Sequence, residues 1–382
     1  MRSDYLFFGS PIIEEEEINA VVNTFKTKWI GTGPKVNEFE KQFSEYVGVK
    51  YAIAVSSCTA ALHLSVIALG IGPGDEVLVP AMTFAATANA VIHANAIPVL
   101  VDVDKRNMTI DFDDIERKIT KNTKAIIPVH FAGRPVDIDR LNHIAEKYDL
   151  KIIHDAAHAV ETEYQGKKIG AYKDISCYSF YVTKNITTIE GGMVTTNDEE
   201  LANSIKINAL HGMDKDAWKR FSDDGYKHYQ VVFPGFKYNM TDVSAAIGIE
   251  QLLKVEKFAK RRQEIWEIYN KELQDLPLLL PPDVESDAKH AYHLYTILLD
   301  IDRVNITRDQ LLQKLHEMKI GTGVHYISLH LQDYYKKTYN YKENDFPNSK
   351  YISDRTLSIP LSANLTDEDV KDVISALREC LC

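Results

Sequence analysis

The sequence contains no apolar run approaching the roughly 18 residues that a membrane-spanning helix requires. Its opening segment, MRSDYLFFGSPIIEEEE, turns acidic before an apolar core of the signal-peptide kind can form. Cysteine is scarce. Cys58 and Cys177 lie far apart and Cys380 and Cys382 crowd at the C-terminus, so neither a disulfide framework nor a cysteine metal site is expected. Positive charge is in deficit, with 44 Lys and Arg against 55 Asp and Glu and a formal net charge of −11. That balance argues against nucleic acid as a general partner, although a local site can still attract an anion. Internal repeats and low-complexity tracts are missing as well. The expectation from these absences is a cytoplasmic protein with no membrane insertion.

What remains is ordinary globular material, 45% hydrophobic and 26% charged. At 382 residues the chain exceeds the size at which one core keeps growing, so two domains are expected. EVLVP (76–80), IPVLVDV (97–103), KAIIPVH (124–130), LKIIHD (150–155) and ISCYSF (175–180) are continuous in apolar residues, as buried parallel strands are. Between them TAALHLSVIALG (59–70), TFAATANAVIHAN (83–95) and DIDRLNHIAEKY (137–148) read as helices, the last capped by Asp137. Such alternation predicts an α/β domain with a mostly parallel sheet covered on both faces. After about residue 240 the character changes. Residues 244–273 read as one long bridging helix, and Pro277, Pro281 and Pro282 then break the chain. A strand at 293–300, a helix from Thr307 to Met318 and a final helix from Asp367 suggest a smaller α+β domain. The expected division is 1–245, with an N-terminal arm, and 246–382.

Several residues have the chemistry that an aldehyde cofactor with a phosphate tail demands. Lys184 follows a strand-like run and precedes Glu190-Gly191-Gly192, where a desolvated amine could act as a nucleophile. An isolated lysine is more often a solvated loop residue; here the neighbourhood reverses that reading. Asp155 ends a strand, the edge at which open α/β sheets place ligand groups, and could hold a pyridinium or simply cap a helix. Ser56-Ser57-Cys58-Thr59 opens a helix whose first amides attract anions, though Ser and Thr are also routine caps. His154 and His158 stand four apart and could share zinc, but only on a continuous helix, and Lys151-Ile152-Ile153 reads as strand. Gly321-Thr322-Gly323-Val324-His325-Tyr326, His330 and Tyr334-Tyr335 form a polar, aromatic stretch suited to a sugar or phosphate pocket, or to a surface loop.

Assembled in order, these residues resemble the DegT/DnrJ/StrS family of pyridoxal-phosphate (PLP) dependent sugar aminotransferases. The resemblance runs from Trp29-Ile30-Gly31-Thr32-Gly33-Pro34 through Ala54 to His63, Asp155-Ala156-Ala157-His158-Ala159 and Lys184-Asn185. It continues through Glu190-Gly191-Gly192 to Gly235-Phe236-Lys237-Tyr238-Asn239-Met240-Thr241-Asp242. Gly321 to Tyr326, with His330 and Tyr334-Tyr335, is most similar to the UDP-4-amino-4-deoxy-L-arabinose synthase subgroup.

The resemblance implies a fold type I PLP transferase in which Lys184 carries the cofactor and Asp155 pairs with its pyridine nitrogen. His158 would contact the ring hydroxyl and Phe84 would stack on the ring. Ser179 and the Cys58–Thr59 turn would bind the phosphate. Asn239 would reach that phosphate from the partner of a homodimer with shared active sites. The sugar nucleotide would lie near Trp29, His325, Tyr326 and His330. The implied reaction is a ping-pong transamination from L-glutamate to a nucleotide-linked keto-sugar, a UDP-4-keto sugar by subgroup, with Lys184 moving the proton. A dTDP-linked 3-keto sugar aminated at C3 is the alternative substrate. A zinc hydrolase centred on His154 and His158, a sugar dehydratase with histidine in place of the lysine, and a non-catalytic member are the remaining readings. Lys184 argues against the dehydratase, and the intact set of Lys184, Asp155 and Ser179 against the non-catalytic protein. Two departures stand out. His154 replaces the family's usual Glu, and Ile189 occupies a position usually Gly or Ala, where a β-branched residue is poorly suited to positive φ.

Overall fold

The computed structural model describes residues 2–214 and 229–381. Cys382, one of the two C-terminal cysteines, lies outside the described residues. Two helices, α1 (Glu15–Thr27) and α2 (Pro34–Val47), lead into β1 (Tyr51–Val55), α3 (Cys58–Ala68), β2 (Glu76–Pro80), α4 (Ala85–His93) and β3 (Ile97–Val101). Alternation continues through α5 (Phe112–Lys118), β4 (Thr123–Ile126), α6 (Ile138–Tyr148) and β5 (Lys151–Asp155). A small hairpin, β6 (Glu163–Tyr164) and β7 (Lys167–Lys168), precedes β8 (Ile175–Ser179), β9 (Gly192–Thr196) and α7 (Glu199–Ala209).

The main sheet has seven strands in the order β1-β9-β8-β5-β4-β2-β3. Every pairing is parallel except those of β9, which runs antiparallel to both β1 and β8. The five expected strands are present; β1 and β9 are additions. The reversal at β9 has a plain cause. Residues 180–191, which join β8 to β9, form turns and no helix, so the chain reverses there and does not make the helical crossover that a parallel neighbour needs. That reversal carries Lys184.

Side chains alternate across the sheet, as the pleat dictates. Ala52, Ala54, Leu78, Ile126, Ile152 and Tyr178 enter one apolar core, against α2, α6 and α8. Ile53, Val55, Val77, Val79, Ile127, Ile153 and Cys177 enter the other, against α3, α4 and α7. Burial on both faces is why these strands read as unbroken apolar runs.

The long helix is α8 (Asp242–Glu272), 31 residues capped by the Thr241 hydroxyl on Ser244 N. Its first half places Ala245, Ile249, Leu252 and Val255 in the large-domain core, and its second half places Ile265, Trp266 and Tyr269 in the small-domain core. The cores therefore divide between Val255 and Ile265, whereas the expected boundary at 245/246 falls in the helix's first turns. Beyond it lie β10 (Leu278–Leu279), β11 (Ala288–Lys289), β12 (Tyr295–Leu299), α9 (Arg308–Glu317), α10 (Asp333–Tyr339), α11 (Pro347–Arg355), β13 (Thr356–Ile359) and α12 (Asp367–Leu381). β10, β12 and β13 form the small sheet, while β11 pairs with β6 and stitches the two units together. The N-terminal arm departs from expectation. Leu6 bonds through its backbone to Lys319 and Gly321 and packs in the small-domain core. No helix of the described residues is long and apolar enough to cross a membrane.

Candidate active site

A cavity of about 380 Å³ opens where β1, β2, β5 and β8 end at their C-terminal edges. Open α/β sheets bind ligands at this edge. Its wall includes Ser57, Cys58 and Thr59 at the start of α3, and Thr83 and Phe84 before α4. Asp155 and His158 follow β5, Ser179 and Lys184 follow β8, and the small domain adds His325 and Tyr326.

Lys184 sits in the β8–β9 reversal, its amide bonded to the Tyr181 carbonyl at 2.9 Å. Burial lowers its amine to about 8, against the opposing pull of Cys58 and Asp155. An amine so placed is partly neutral near physiological pH and can attack a carbonyl. The next residue, Asn185, is fixed by two donated bonds, to Glu161 Oε2 at 2.7 Å and to the Ala291 carbonyl at 3.0 Å. Glu161 is itself paired with Arg262 of α8, both fully enclosed. The lysine loop is thus anchored to the bridging helix.

Asp155, 5% exposed, accepts from Thr87 Oγ1 at 2.8 Å and from the Ala157 amide at 3.2 Å. Burial pushes its pKa up, while those two donors and Lys184 oppose the rise. His158 receives the Ala132 amide on Nδ1 at 3.2 Å. An amide can only donate, so the neutral ring carries its proton on Nε2, which faces the Tyr326 hydroxyl at 3.3 Å. Burial, followed by the nearby Lys184 charge, holds His158 well below the usual histidine range. Tyr326, raised by burial and by Asp155, stays protonated. His325 is lowered to about 4 by burial and by Lys184, and its Nδ1 lies 2.9 Å from Ser358 Oγ.

At the other end of the cavity, Ser57 caps α3 by accepting from Ala60 N, which leaves the Cys58 and Thr59 amides at the positive end of the helix. Gly192 makes this possible. A Cβ there would stand 2.5 Å from Ser57 C and 2.6 Å from Cys58 N. The Cys58 thiol turns inward to the Cys177 carbonyl at 3.6 Å, and burial raises its pKa well above normal. Only its backbone is therefore available to an anion. Phe84, 61% exposed, stands at the cavity mouth 6.1 Å from the Tyr326 ring.

The residues fit PLP: an amine of depressed pKa, a buried carboxylate with lone pairs to spare, a helix N-terminus for phosphate and an open aromatic face. Lys184, Asp155, His158, Ser179, Phe84, Cys58, Thr59, His325 and Tyr326, all expected at the site, share this one cavity. Trp29 and Asn239 do not. They line a second cavity of about 330 Å³ with Thr32, Asn37, Glu40 and Lys206. Asn239 Nδ2 donates there to Thr32 Oγ1 at 2.5 Å. His330 is a correction to the sequence reading. It is fully buried, with Nδ1 2.7 Å from Ser328 Oγ and Nε2 3.1 Å from the Glu343 carbonyl, so it braces the small domain and does not line the cavity. His154 and His158 also part company. His154 Nδ1 meets His130 Nε2 at 3.1 Å inside the core, while His158 faces Tyr326. Among the described residues no cluster of three or more ligands could hold a metal. Sequence reasoning missed Thr83 and Thr87, whose spacing of four in an alanine-rich helix was the available signal. It also missed the Glu161–Arg262–Asn185 anchor, which no local pattern announces.

Residues 11–378 match the model of the DegT/DnrJ/EryC1/StrS aminotransferase family. The spore coat polysaccharide biosynthesis protein SpsC of Bacillus subtilis is 46% identical over 379 residues, which is 99% of this chain and 97% of SpsC. The PLP form of Streptococcus pneumoniae Spr1654 superposes with a TM-score of 0.91 at 32% identity, covering 99% of this chain and 100% of that one. Helicobacter pylori PseC, an aminotransferase involved in the biosynthesis of pseudoaminic acid, gives a TM-score of 0.91 at 27% identity over 99% of both chains. The fold is accordingly that of the type I PLP-dependent aminotransferases, and PLP is the cofactor.

Proposed function

Because this chain belongs to the DegT/DnrJ/EryC1/StrS aminotransferase family, we propose that it moves the amino group of L-glutamate to C4 of a UDP-linked 4-keto sugar. At the coarser level it is a sugar aminotransferase of polysaccharide or sugar biosynthesis. The pairing of Lys184 and Asp155 in one cavity, beside the N-terminus of α3, supports PLP-dependent transamination; the UDP-linked 4-keto sugar rests on the resemblance of Gly321 to Tyr326 to the arabinose subgroup.

PLP, when bound, supplies an electron sink for the bond-breaking at the amino-bearing carbon. Lys184 would hold the cofactor covalently in the resting enzyme and, when free, would remove and return the proton at the substrate carbon. A value of about 8 suits both directions of transfer near neutral pH. Asp155 would hold the pyridine nitrogen protonated. His158, with its proton fixed on Nε2 by the Ala132 amide on its other nitrogen, would donate to the ring hydroxyl. Phe84 would cover the ring. Ser179 and the Cys58 and Thr59 amides would hold the phosphate, with His325 and Tyr326 on the sugar side of the wall. Of the subgroup signature, His325 and Tyr326 line the cavity, while His330 is inside the core.

A homodimer with shared sites completes this reading. Trp29 and Asn239 line a cavity other than that of their own chain's lysine, as residues serving a partner would. Ile18, Val22 and Phe25, at i, i+4 and i+7 on α1, expose an apolar stripe of the kind that subunit contacts cover.

The test is an absorption spectrum of the PLP-loaded protein, repeated with L-glutamate and with Lys184→Ala. A visible band that glutamate converts to the shorter-wavelength pyridoxamine form, absent in its normal form from the variant, supports the assignment of Lys184. Amination of a UDP-4-keto sugar over a dTDP-3-keto sugar supports the substrate; the reverse preference overturns it. A protein that takes up no PLP would sink the whole reading.

A further inference from the structure

Asp155 is held by a hydroxyl relay. Its Oδ2 accepts the Thr87 hydroxyl at 2.8 Å, and Thr87 Oγ1 in turn lies 2.8 Å from Thr83 Oγ1. A threonine hydroxyl has one hydrogen, and a carboxylate can only accept. The Thr87 hydrogen therefore goes to Asp155, and the Thr83–Thr87 contact is donated by Thr83. The order Thr83 to Thr87 to Asp155 follows from the chemistry of the partners alone. Both threonines are buried, and Thr83 also touches the cavity.

Two features set this arrangement apart from ordinary satisfaction of buried polar groups. A threonine inside a helix commonly turns its hydroxyl back to the carbonyl four residues earlier. Thr87 instead sends it to a strand end 68 residues away in sequence. Moreover, Thr83 and Thr87 flank Phe84, the N-cap of α4 whose ring stands at the cavity mouth. One turn of helix therefore sets both the aromatic face over the cavity and the hydroxyls that orient the acid beneath it. In a water-poor pocket such hydrogen bonds polarise one another.

We propose that Thr87, backed by Thr83, is a positioning residue that keeps Asp155 ionised and aimed at the pyridine nitrogen of PLP. It goes beyond the assignment of Asp155 and rests on it. Oδ1 carries the Ala157 amide and Oδ2 the Thr87 hydroxyl, which pins the carboxylate plane while leaving a lone pair on each oxygen free. Losing one hydrogen bond to an ionised group shifts its proton equilibrium by roughly ten- to hundredfold. Without Thr87 the carboxylate gains proton affinity and the pyridine nitrogen loses its proton.

The experiment loads ¹⁵N-labelled PLP into the wild type, Thr87→Val, Thr87→Ser and Asp155→Asn and reads the ring-nitrogen chemical shift. The first half-reaction with L-glutamate is timed alongside. The wild type and Thr87→Ser should give a protonated nitrogen, whereas the isosteric Thr87→Val should move toward the Asp155→Asn value and slow the half-reaction by about ten- to hundredfold. Should Thr87→Val fail to fold, Thr83→Val, which removes only the backing bond, should show the same displacement in smaller measure. A wild-type nitrogen shift in both valine variants overturns the relay, as does an equal displacement in Thr87→Ser. A wild-type shift in Asp155→Asn overturns the assignment of Asp155 and the relay with it, so the two failures are told apart.

Discussion

Lys184 is the residue on which a measurable pH dependence rests. Burial holds its amine near 8, below the ordinary lysine value. Between about 8 and about 10.5 the unfolded chain binds a proton that the folded chain has released, so stability rises with pH across that window. The cost of the buried charge is fully present below about 8, amounts to about 3 kcal/mol and vanishes above about 10.5. Lys184→Met in the cofactor-free protein should therefore be the more stable chain at neutral pH and converge on the wild type at high pH, as urea midpoints would record. Parallel pH curves for the two proteins would refute the burial argument. The lysine was legible in sequence because its neighbours, Ser179, Asn185 and Glu190-Gly191-Gly192, occur in a fixed order. Ile189 was legible for a different reason. A β-branched residue was expected to fit badly where positive φ is needed, and the backbone there has φ of 72°, in the left-handed region. His330 was misread because local sequence does not reveal which side of a turn faces the core. Its burial comes from Ser328 and the distant Glu343 carbonyl.

At the scale of elements, the phosphate end of the site depends on how closely β9 approaches the first turn of α3. Gly192 permits that approach, and the three closest contacts its Cβ would make are to backbone atoms, which cannot rotate away. Gly192→Ala should push the α3 terminus aside and weaken PLP binding by at least about tenfold, a loss of about 1.4 kcal/mol, with the circular dichroism spectrum unchanged. Titration with PLP checks this, and an unaltered affinity would show that the helix terminus is not the anion site. The parallel strands were readable because burial on both faces leaves continuous apolar runs, and the helices because Asp137, Thr307 and their like mark the starts. The antiparallel course of β9 was not readable. Its direction follows from the helix-free turn at 180–191, and its place in the sheet from β1 lying on its far side, and neither is written in the strand itself. The relay from Thr83 through Thr87 to Asp155 escaped for the same reason, since its bond from Thr87 to Asp155 joins residues 68 apart in sequence.

At the scale of the whole molecule, the homodimer proposed above would complete the site of each chain. The lysine cavity holds nine of the expected site residues, while Trp29 and Asn239 face a separate cavity on the same chain. The proposed partner chain would reconcile the resemblance, which implies that Asn239 lies near the phosphate, with its place in a cavity apart from Lys184, and the exposed Ile18, Val22 and Phe25 would offer that chain an apolar stripe. This makes a complementation test decisive. Lys184→Ala and Asn239→Ala homodimers each carry a defect in both sites. In a mixed dimer with exchanged Asn239 residues, one site collects both defects and the other has neither. Equal mixing puts half of the chains in mixed dimers with one intact site of two, so activity should recover to roughly a quarter of wild type. If Asn239 served its own chain, every site in the mixed dimer would keep one defect, and mixing would add nothing to the sum of the parents. Co-expression with two affinity tags isolates the mixed dimer, whose activity should be about half of wild type in the shared arrangement and no more than that of the parents otherwise.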